Sequence, residues 1–388
     1  RAVTLRGSVL ATAGDGENPL LTDGSLPPFA AVRPEHARPA VEARLNDGKV
    51  RLAQMEARLV DRLAEGGATV PYDELVLPLE DLYDHVSAPW ELLLHLKGVR
   101  DSEELRAAVE ELQPKVISFW QNVSQSRPIY EAFVRLNESD TYATLPEARQ
   151  RIVQKELQDR KLGGIGLRAE GAAKFNAVQR KLSDLSTAFS NHLLDARKAW
   201  NMTVTDNVTV RGIPQRALAA AAAAAAQAGH ANATAEQGPW LLTLDGPMLG
   251  PVLTYAEDRS LRETLARASA TLASQGPMNN TATVAKILEQ RQLQASLLGY
   301  SDYAALSFAS KMATEDGVHR LLDGLQATAK SAAETEEQEL KAFARNSSNV
   351  SDVLPWDRGF FIERLRQKRY GVDAEALRAY FSLPHVIE

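Results

Sequence analysis

Apolar residues recur three and four positions apart along most of this chain, which is the spacing of one face of an α-helix. Ser102 stands at an expected N-cap, Pro146 falls in a first helical turn, and Gly66-Gly67 follows another periodic run. The pattern predicts long amphipathic helices in six segments: residues 33–67, 101–126, 145–164, 171–200, 284–300 and 317–346.

Strand patterns are few. Residues 200–210 alternate and contain β-branched side chains, and residues 239–247 form a short apolar run between two prolines. These two segments predict either a small hairpin or an extended connection. Because helical patterns dominate, the sequence predicts an all-α fold with at most a minor β-hairpin.

A low-complexity segment lies near the middle of the chain. Alanine has the highest helix propensity, so residues 217–226 predict a helix with little side-chain packing that stops at Gly229. The polar loop that follows, ending near Pro239, is typical of a connector between two bodies. We place a coarse boundary between this loop and a helix that starts near Arg259.

Composition excludes several classes of function. A chain of 388 residues is long enough for two domains or one elongated helical body. The net charge of −6 and the lack of basic clusters interleaved with aromatic residues argue against nucleic-acid binding. Apart from the alanine run, no apolar window is long enough to span a membrane. Cysteine is absent, which excludes disulfides, thiol catalysis and cysteine-ligated zinc.

Histidine spacing gives a weak candidate for a metal site. The H-E-x-x-H motif, which places two imidazoles on one helix face, does not occur. Asp81 and His85 are four residues apart, as are Glu91 and His95, but Pro89 separates the two pairs. Two carboxylate–imidazole pairs could bind zinc, yet ion pairs on a helix surface are the favoured interpretation.

Two further motifs have ordinary structural explanations. Gly164-x-Gly166-x-x-Ala169 resembles a dinucleotide fingerprint, but a predicted helix precedes it where the fingerprint needs a strand. We interpret these glycines as a helix stop and turn. No G-x-S-x-G nucleophile motif occurs.

Sequons for N-glycosylation leave a secreted glycoprotein as an alternative hypothesis. Chance is the favoured explanation, since several sequons lie inside predicted helices. The sequons begin at Asn122, Asn137, Asn201, Asn207, Asn232, Asn279, Asn346 and Asn349.

The segment at residues 354–381 has two interpretations. It carries four aromatic side chains at helical spacing, Trp356, Phe360, Phe361 and Tyr370. This spacing favours a packed core over a channel wall. It also carries Asp357 and, after it, Arg364, Arg366 and Arg369. Those charges suit either a core or the basic inner wall of a channel.

Seven segments, in order, resemble the thimet oligopeptidase and oligopeptidase A family of zinc metallopeptidases, especially the plant-type organellar oligopeptidases. The resemblance extends from about Asn18 to Glu388, nearly the whole chain. Its segments are NPLLTDGSLPPFAAVRPEHARPAV, YATLPEARQRIV, FNAVQRKLSDLSTAFSNHLLDARKAW, GHANATAEQGPWLLTLDGP, LLGYSDYAALSFASKMA, PWDRGFFIERLR and LRAYFSLPHVIE.

The resemblance implies an almost wholly helical fold with two lobes beside a long channel. This chain would supply an elongated multi-helix lobe of a two-lobed oligopeptidase. Residues 18–240 would form the N-terminal helical domain and 241–388 the opening helices of the catalytic domain, with 1–17 a transit-peptide remnant or disordered tail. The resemblance also implies short unfolded peptides as substrates. Zinc, bound by H-E-x-x-H and a downstream glutamate, would activate water.

No position of this chain matches a metal or catalytic residue of the family, so the resemblance assigns none here, and substrate-binding residues stay unassigned. The chain ends inside a segment that precedes the family's zinc motif. We therefore expect the N-terminal part of an oligopeptidase, inactive alone and without bound zinc. Its partners would be short peptides and the remainder of the catalytic domain. The alternative is a non-catalytic helical peptide-binding or interaction module.

Departures from the family motivate that alternative. Ala266, Ser269 and Leu272 stand where the family has two tyrosines and an arginine, and Met248 and Gly250 alter its P-S-Y-L-P segment. We expect an organellar location, chloroplast or mitochondrion, with the cytoplasm as the alternative.

The apolar residues near the chain end carry one more expectation. We expect them to leave an exposed apolar face around Phe360, Phe361, Tyr380, Phe381 and Ile387.

Overall fold

A computed structural model describes residues 18–22, 27–64 and 69–387 of the chain. Within them the chain is mostly helical, and two short strands form a single antiparallel sheet. The predicted all-α class with a minor β element is confirmed. The helices are α1 (Ala37–Ala64), α2 (Tyr72–Val99), α3 (Glu103–Ser124), α4 (Arg127–Asn137), α5 (Asp140–Thr144), α6 (Glu147–Leu162), α7 (Ala169–Ala199), α8 (Gln215–Gln227), α9 (Gly246–Tyr255), α10 (Arg259–Ala270), α11 (Thr281–Leu297), α12 (Tyr303–Ala309), α13 (Glu315–Ser348), α14 (Pro355–Tyr370), α15 (Ala374–Leu377) and α16 (Leu383–Ile387). The strands are β1 (Asn201–Val204) and β2 (Trp240–Thr243).

Every segment predicted from helical periodicity contains a helix: α1, α3, α6, α7, α11 and α13. Ser102 caps α3 as predicted, because its Oγ accepts a hydrogen bond from the Leu105 amide at 3.2 Å. The predicted tail at residues 1–17 and the Gly66-Gly67 stop lie outside the described residues.

Helix α2 is not among the six predicted segments, and Pro78 and Pro89 lie inside it. A proline in a helix interior costs about 3 kcal/mol. Each large apolar side chain that becomes buried gains about 1.5–3 kcal/mol, and the stripe of α2 outweighs both prolines. Its members recur at intervals of three and four: Leu75, Leu79, Leu82, Val86, Pro89, Leu93 and Leu96.

The chain divides into two compact units, and the first comprises the described residues of Arg1–Lys181 and Arg291–Met312. Its core lies among α1, α2, α3 and α4: α1 and α2 contact each other and both contact α3 and α4, and α6 packs on α4. Gly48 of α1 lies where an added Cβ would come within 2.6 Å of Val86 Cγ2. The absence of a side chain at Gly48 therefore permits the close approach of α1 and α2.

The second unit comprises Leu182–Gln290 and the described residues of Ala313–Glu388. Strands β1 and β2 pair from Asn201↔Thr243 to Val204↔Trp240, and α8 lies in the connection between them. The pair is therefore antiparallel without the tight turn of a hairpin. No described helix is long and apolar enough to cross a membrane.

Alanine helix α8 differs from its prediction in one respect. We expected little side-chain packing, but Ala217 and Ala221 are buried against the core that contains Trp240 and Leu242 of β2. Methyl side chains let a helix approach a neighbour closely, so a low-volume face still packs. Gly229 adopts a φ of +104° just after the helix, as a stop requires. Helix α10 begins at Arg259, as predicted.

Candidate functional site

Metal-binding geometry is the first test of a metallopeptidase site. Among the described residues there is no group of three or more histidine, aspartate or glutamate side chains that could hold a metal ion. The predicted Asp81–His85 pair does not form. His85 Nε2 lies 2.7 Å from Asp47 of α1, and Asp81 accepts a hydrogen bond from Arg51 at 2.7 Å. These residues therefore join α1 to α2, and the described residues do not fit a zinc ion.

The glycines after α6 form a turn, as predicted. Helix α6 ends at Leu162, Gly164 has a φ of +89°, and α7 begins at Ala169. A helix thus precedes these glycines, which excludes the strand–loop–helix geometry of a dinucleotide site.

The aromatic side chains of α14 belong mainly to a core. Trp356, Phe360 and Phe361 are buried, and the rings of Phe360 and Phe361 meet edge to face with centroids 5.2 Å apart. The core interpretation is confirmed for these three residues. It is wrong for Tyr370, which is 67% exposed because it stands in the last turn of α14, where Gly371 ends the helix.

Asp357 forms the centre of a buried charge cluster. Its carboxylate is fully buried and accepts hydrogen bonds from Arg259 at 2.7 Å and Arg262 at 2.8 Å. Burial alone would raise the pKa of the Asp357 carboxyl, but the bonds from the two guanidinium groups hold that pKa below its usual range. Arg262 also donates to the carbonyl oxygens of Ala256 and Trp356. The cluster fixes α14 to α10 and to the end of α9.

Sequence reasoning missed this cluster because it grouped Asp357 with the arginines that follow it. Its partners lie almost a hundred positions earlier in the chain, on α10. One signal was available. Arg262 stands between Leu261 and Leu265 on the buried face of α10, where a charged side chain needs a partner.

The three arginines of α14 that the sequence suggested for a channel wall do not form an uncompensated basic wall. Each one has a carboxylate partner in the second unit: Arg364 with Glu257, Arg366 with Glu363 and Arg369 with Glu339. Arg364 also lies over the Phe360 ring at 4.2 Å, and Arg262 lies over the same ring at 4.0 Å. These charges therefore stabilise the packing of the second unit.

A polar cleft of about 530 Å³ lies where α8, α9, α14 and α15 meet. Arg216 forms a two-point ion pair with Glu375, with nitrogen–oxygen distances of 2.8 and 2.9 Å. Burial, together with Glu363 and Glu375, raises the pKa of Tyr255, so its phenol stays neutral and can donate a hydrogen bond. Gln367 and Arg378 complete the polar lining. These groups can hydrogen-bond peptide backbone and carboxylate, but they contain no nucleophile–base pair.

The predicted apolar face near the chain end is only partly correct. Tyr380, Phe381 and Ile387 are exposed by 78%, 69% and 75%. Phe360 and Phe361 do not belong to that face, because they pack against Leu340 and Val353 in a core of their own.

Comparison with known proteins gives two matches to protein families, in order along the chain. Residues 42–172 match the family described as Neurolysin/Thimet oligopeptidase, N-terminal domain. Residues 252–388 match Peptidase family M3. The first region contains α2 to α6 and most of α1, and the second contains the Asp357 cluster.

Individual relatives agree with the family matches. Organellar oligopeptidase A, chloroplastic/mitochondrial, of Arabidopsis thaliana is 40% identical over 98% of this chain and 47% of its own length. Probable cytosolic oligopeptidase A of the same plant is 40% identical over 96% of this chain and 52% of its length. Oligopeptidase A of Escherichia coli (strain K12) is 37% identical over 94% of this chain and 52% of its own length. The chain thus spans about half the length of the curated relatives it matches. With both regions matched in order, it belongs to the thimet oligopeptidase and oligopeptidase A family, peptidase family M3.

Proposed function

We propose that this chain is the N-terminal part of a zinc metallo-oligopeptidase that hydrolyses short unfolded peptides. The observation that carries the proposal is the order of the two matches, an oligopeptidase N-terminal domain followed by part of the M3 peptidase region. Zinc would be held by the half of the enzyme that this chain does not span, since the sequence contains no H-E-x-x-H.

Alone, the chain should not cleave peptides. The test incubates it with zinc and a quenched-fluorescent peptide, before and after it is joined to the half of the Arabidopsis organellar relative that the alignment does not span. We expect no hydrolysis above blank from the chain alone and chelator-sensitive hydrolysis from the joined protein. Chelator-sensitive hydrolysis by the chain alone, or a folded joined protein without activity, would contradict the proposal.

A non-catalytic peptide-binding module is the second candidate. Its motivation is the loss of family side chains at Ala266, Ser269 and Leu272 on and just after α10, and the burial of Met248 in the core of the second unit. The polar cleft around Tyr255 and Arg216 offers hydrogen-bonding groups for such a role. Saturable binding of short peptides by the chain, combined with an inactive joined protein, would favour this candidate.

The proposed location is a chloroplast or mitochondrion, with the cytosol as the alternative. One Arabidopsis relative is named as chloroplastic/mitochondrial and the other as cytosolic, and each is 40% identical to this chain. Fusion of the complete N-terminal region to a fluorescent protein distinguishes them. Organellar import supports the proposal, and diffuse cytosolic fluorescence contradicts it.

A further inference from the structure

Helix α13 carries an apolar stripe that Glu336 and Glu339 interrupt near its C-terminal end. Apolar side chains recur at alternating intervals of four and three residues, which keeps them on one face of a helix and is typical of a seam that packs on another helix. The stripe begins with Val318, Leu322, Leu325, Ala329 and Ala332, and after the two glutamates it resumes at Leu340 and Phe343.

Only the C-terminal end of this stripe is covered. Leu340 and Ala344 are buried against Phe360 and Phe361 of α14. By contrast, residues 319–336 are exposed at every position. Leu321, Leu322 and Leu325 are exposed by 63%, 56% and 58%.

A helix obtains most of its stability in a protein from the packing of its apolar face. Leucine side chains grouped on one exposed face mark an interaction surface rather than scattered surface residues. We call Leu321, Leu322, Leu325 and Ala329 the free stripe of α13.

A groove continues the free stripe towards α14. Its volume is about 390 Å³, and its apolar lining includes Ala333, Ile362, Leu365 and Tyr370. Charged pairs across the two helices, Arg358 with Glu337 and Arg369 with Glu339, border this groove. Because these charges already neutralise one another, the groove and the free stripe favour an apolar helix face over a strongly charged ligand.

The part of its relatives that this chain does not span indicates what covers the free stripe. The chain spans about half of its relatives, and α13 lies within the region that matches Peptidase family M3. We propose that the free stripe of α13 is a docking surface for an amphipathic helix from the other half of the M3 peptidase. This inference rests on the proposed function, because it takes that half as the natural companion of this chain.

The test measures complex formation rather than activity. The full 388-residue chain is co-expressed with the half of the Arabidopsis organellar relative that the alignment does not span, and retention of that half on the tagged chain is quantified. We expect the unaltered chain to retain it and the double variant Leu322→Asp/Leu325→Asp to retain at least tenfold less. The matched control, Ala327→Asp/Ser331→Asp, places two aspartates on the opposite exposed face of α13 and should retain it fully.

Each further outcome decides the inference. Equal retention by the chain and both double variants would overturn it, as would no retention by the unaltered chain. A dimer of this chain that Leu322→Asp/Leu325→Asp dissociates would also overturn it, because a second copy would then occupy the stripe. Circular dichroism of the leucine variant should show unchanged helix content, since the altered side chains are exposed. A complex that forms but does not cleave peptides would contradict the proposed function and leave the docking surface intact.

Discussion

Helices α1 and α13 have similar sequence patterns and different surroundings. Both are long, 28 and 34 residues, and both carry an apolar stripe at intervals of three and four. On α1 the stripe is buried from Ala37 to Leu63, against α2, α3 and α4. On α13 it is buried only near Leu340 and Ala344.

The difference teaches what hydrophobic periodicity can establish. It fixes the conformation of a segment and the face that will be covered, but it does not identify what covers that face. For α1 the covering helices come from the same unit. For α13 we propose that most of the cover belongs to the other half of the enzyme, so substitutions along the two helices should have unequal effects.

The largest effect is expected at the charge cluster that fixes α14, the helix that covers the C-terminal end of α13, to α10. Asp357→Asn removes the charge that neutralises Arg262, which is almost fully buried, and should lower the free energy of unfolding by about 3–5 kcal/mol. Urea unfolding followed by tryptophan fluorescence measures it. The control, Glu263→Gln, breaks an exposed pair with Arg267 and should cost less than about 1 kcal/mol. Equal losses for both variants would show that the buried cluster does not anchor α14.

Leucine truncation compares the two stripes directly. Leu45→Ala on α1 opens a cavity around a side chain that is 3% exposed, and should cost about 2–5 kcal/mol. Leu322→Ala on the free stripe should change the free energy of unfolding by less than about 0.5 kcal/mol. Far-UV circular dichroism during urea unfolding gives both values. A loss above about 2 kcal/mol at Leu322 would mean that the stripe is already covered in the isolated chain.

Much of the fold could be predicted because the apolar spacing of a helix is visible in its own local sequence. The alternation of apolar and polar residues in α1, α7 and α13 is local, and so are the caps at Ser102 and Gly229. The predicted segments did not include α2, because Pro89 is a local signal against a helix. The packing that outweighs Pro89 comes from α1 and α3. Tertiary packing of this kind cannot be deduced from one segment.

The charged residues were harder to place for a related reason. Asp357 is next to Trp356 in sequence, but its partners Arg259 and Arg262 lie on α10. Spacing along one helix suggested a connection to Arg364, which instead pairs with Glu257. Ion pairs between distant segments depend on the final packing, so only the misplaced charge at Arg262 could have indicated the cluster.

Replacement of a glycine by alanine should stabilise α13 and destabilise α1. Alanine in place of glycine inside a helix gains about 1 kcal/mol from propensity. At Gly324 of α13 nothing lies within 4 Å of an added Cβ, so Gly324→Ala should gain that amount. At Gly48 of α1 the Cβ would lie 2.6 Å from Val86 Cγ2, and overpacking of about 1–3 kcal/mol should make Gly48→Ala destabilising. Thermal unfolding of the two variants measures the signs, and stabilisation by Gly48→Ala would refute the close α1–α2 approach.

The smallest effect expected is the pH dependence of the α1–α2 contact. Burial, followed by the nearby guanidinium groups of Arg44 and Arg51, lowers the pKa of His85 despite its bond with Asp47. The unfolded chain therefore binds more protons at this residue than the folded chain does, so stability from His85 rises with pH. That stability is fully present above the ordinary histidine pKa of about 6.5. It is lost as the pH falls below that value towards the lower pKa of the folded state.

A comparison of urea midpoints on the two sides of that pH window tests this sign. The unaltered chain should lose more stability between about pH 7.5 and pH 5 than His85→Gln, which has no proton to bind in that range. His95→Gln, on the same helix, is the matched control and should behave like the unaltered chain. The same loss in all three proteins would mean that His85 does not couple protonation to the α1–α2 contact. A smaller loss in His85→Gln alone would show that protonation of His85 weakens the contact between α1 and α2. Such a contact needs two helices that pack on each other, and the free stripe of α13 has no packing partner within the described residues.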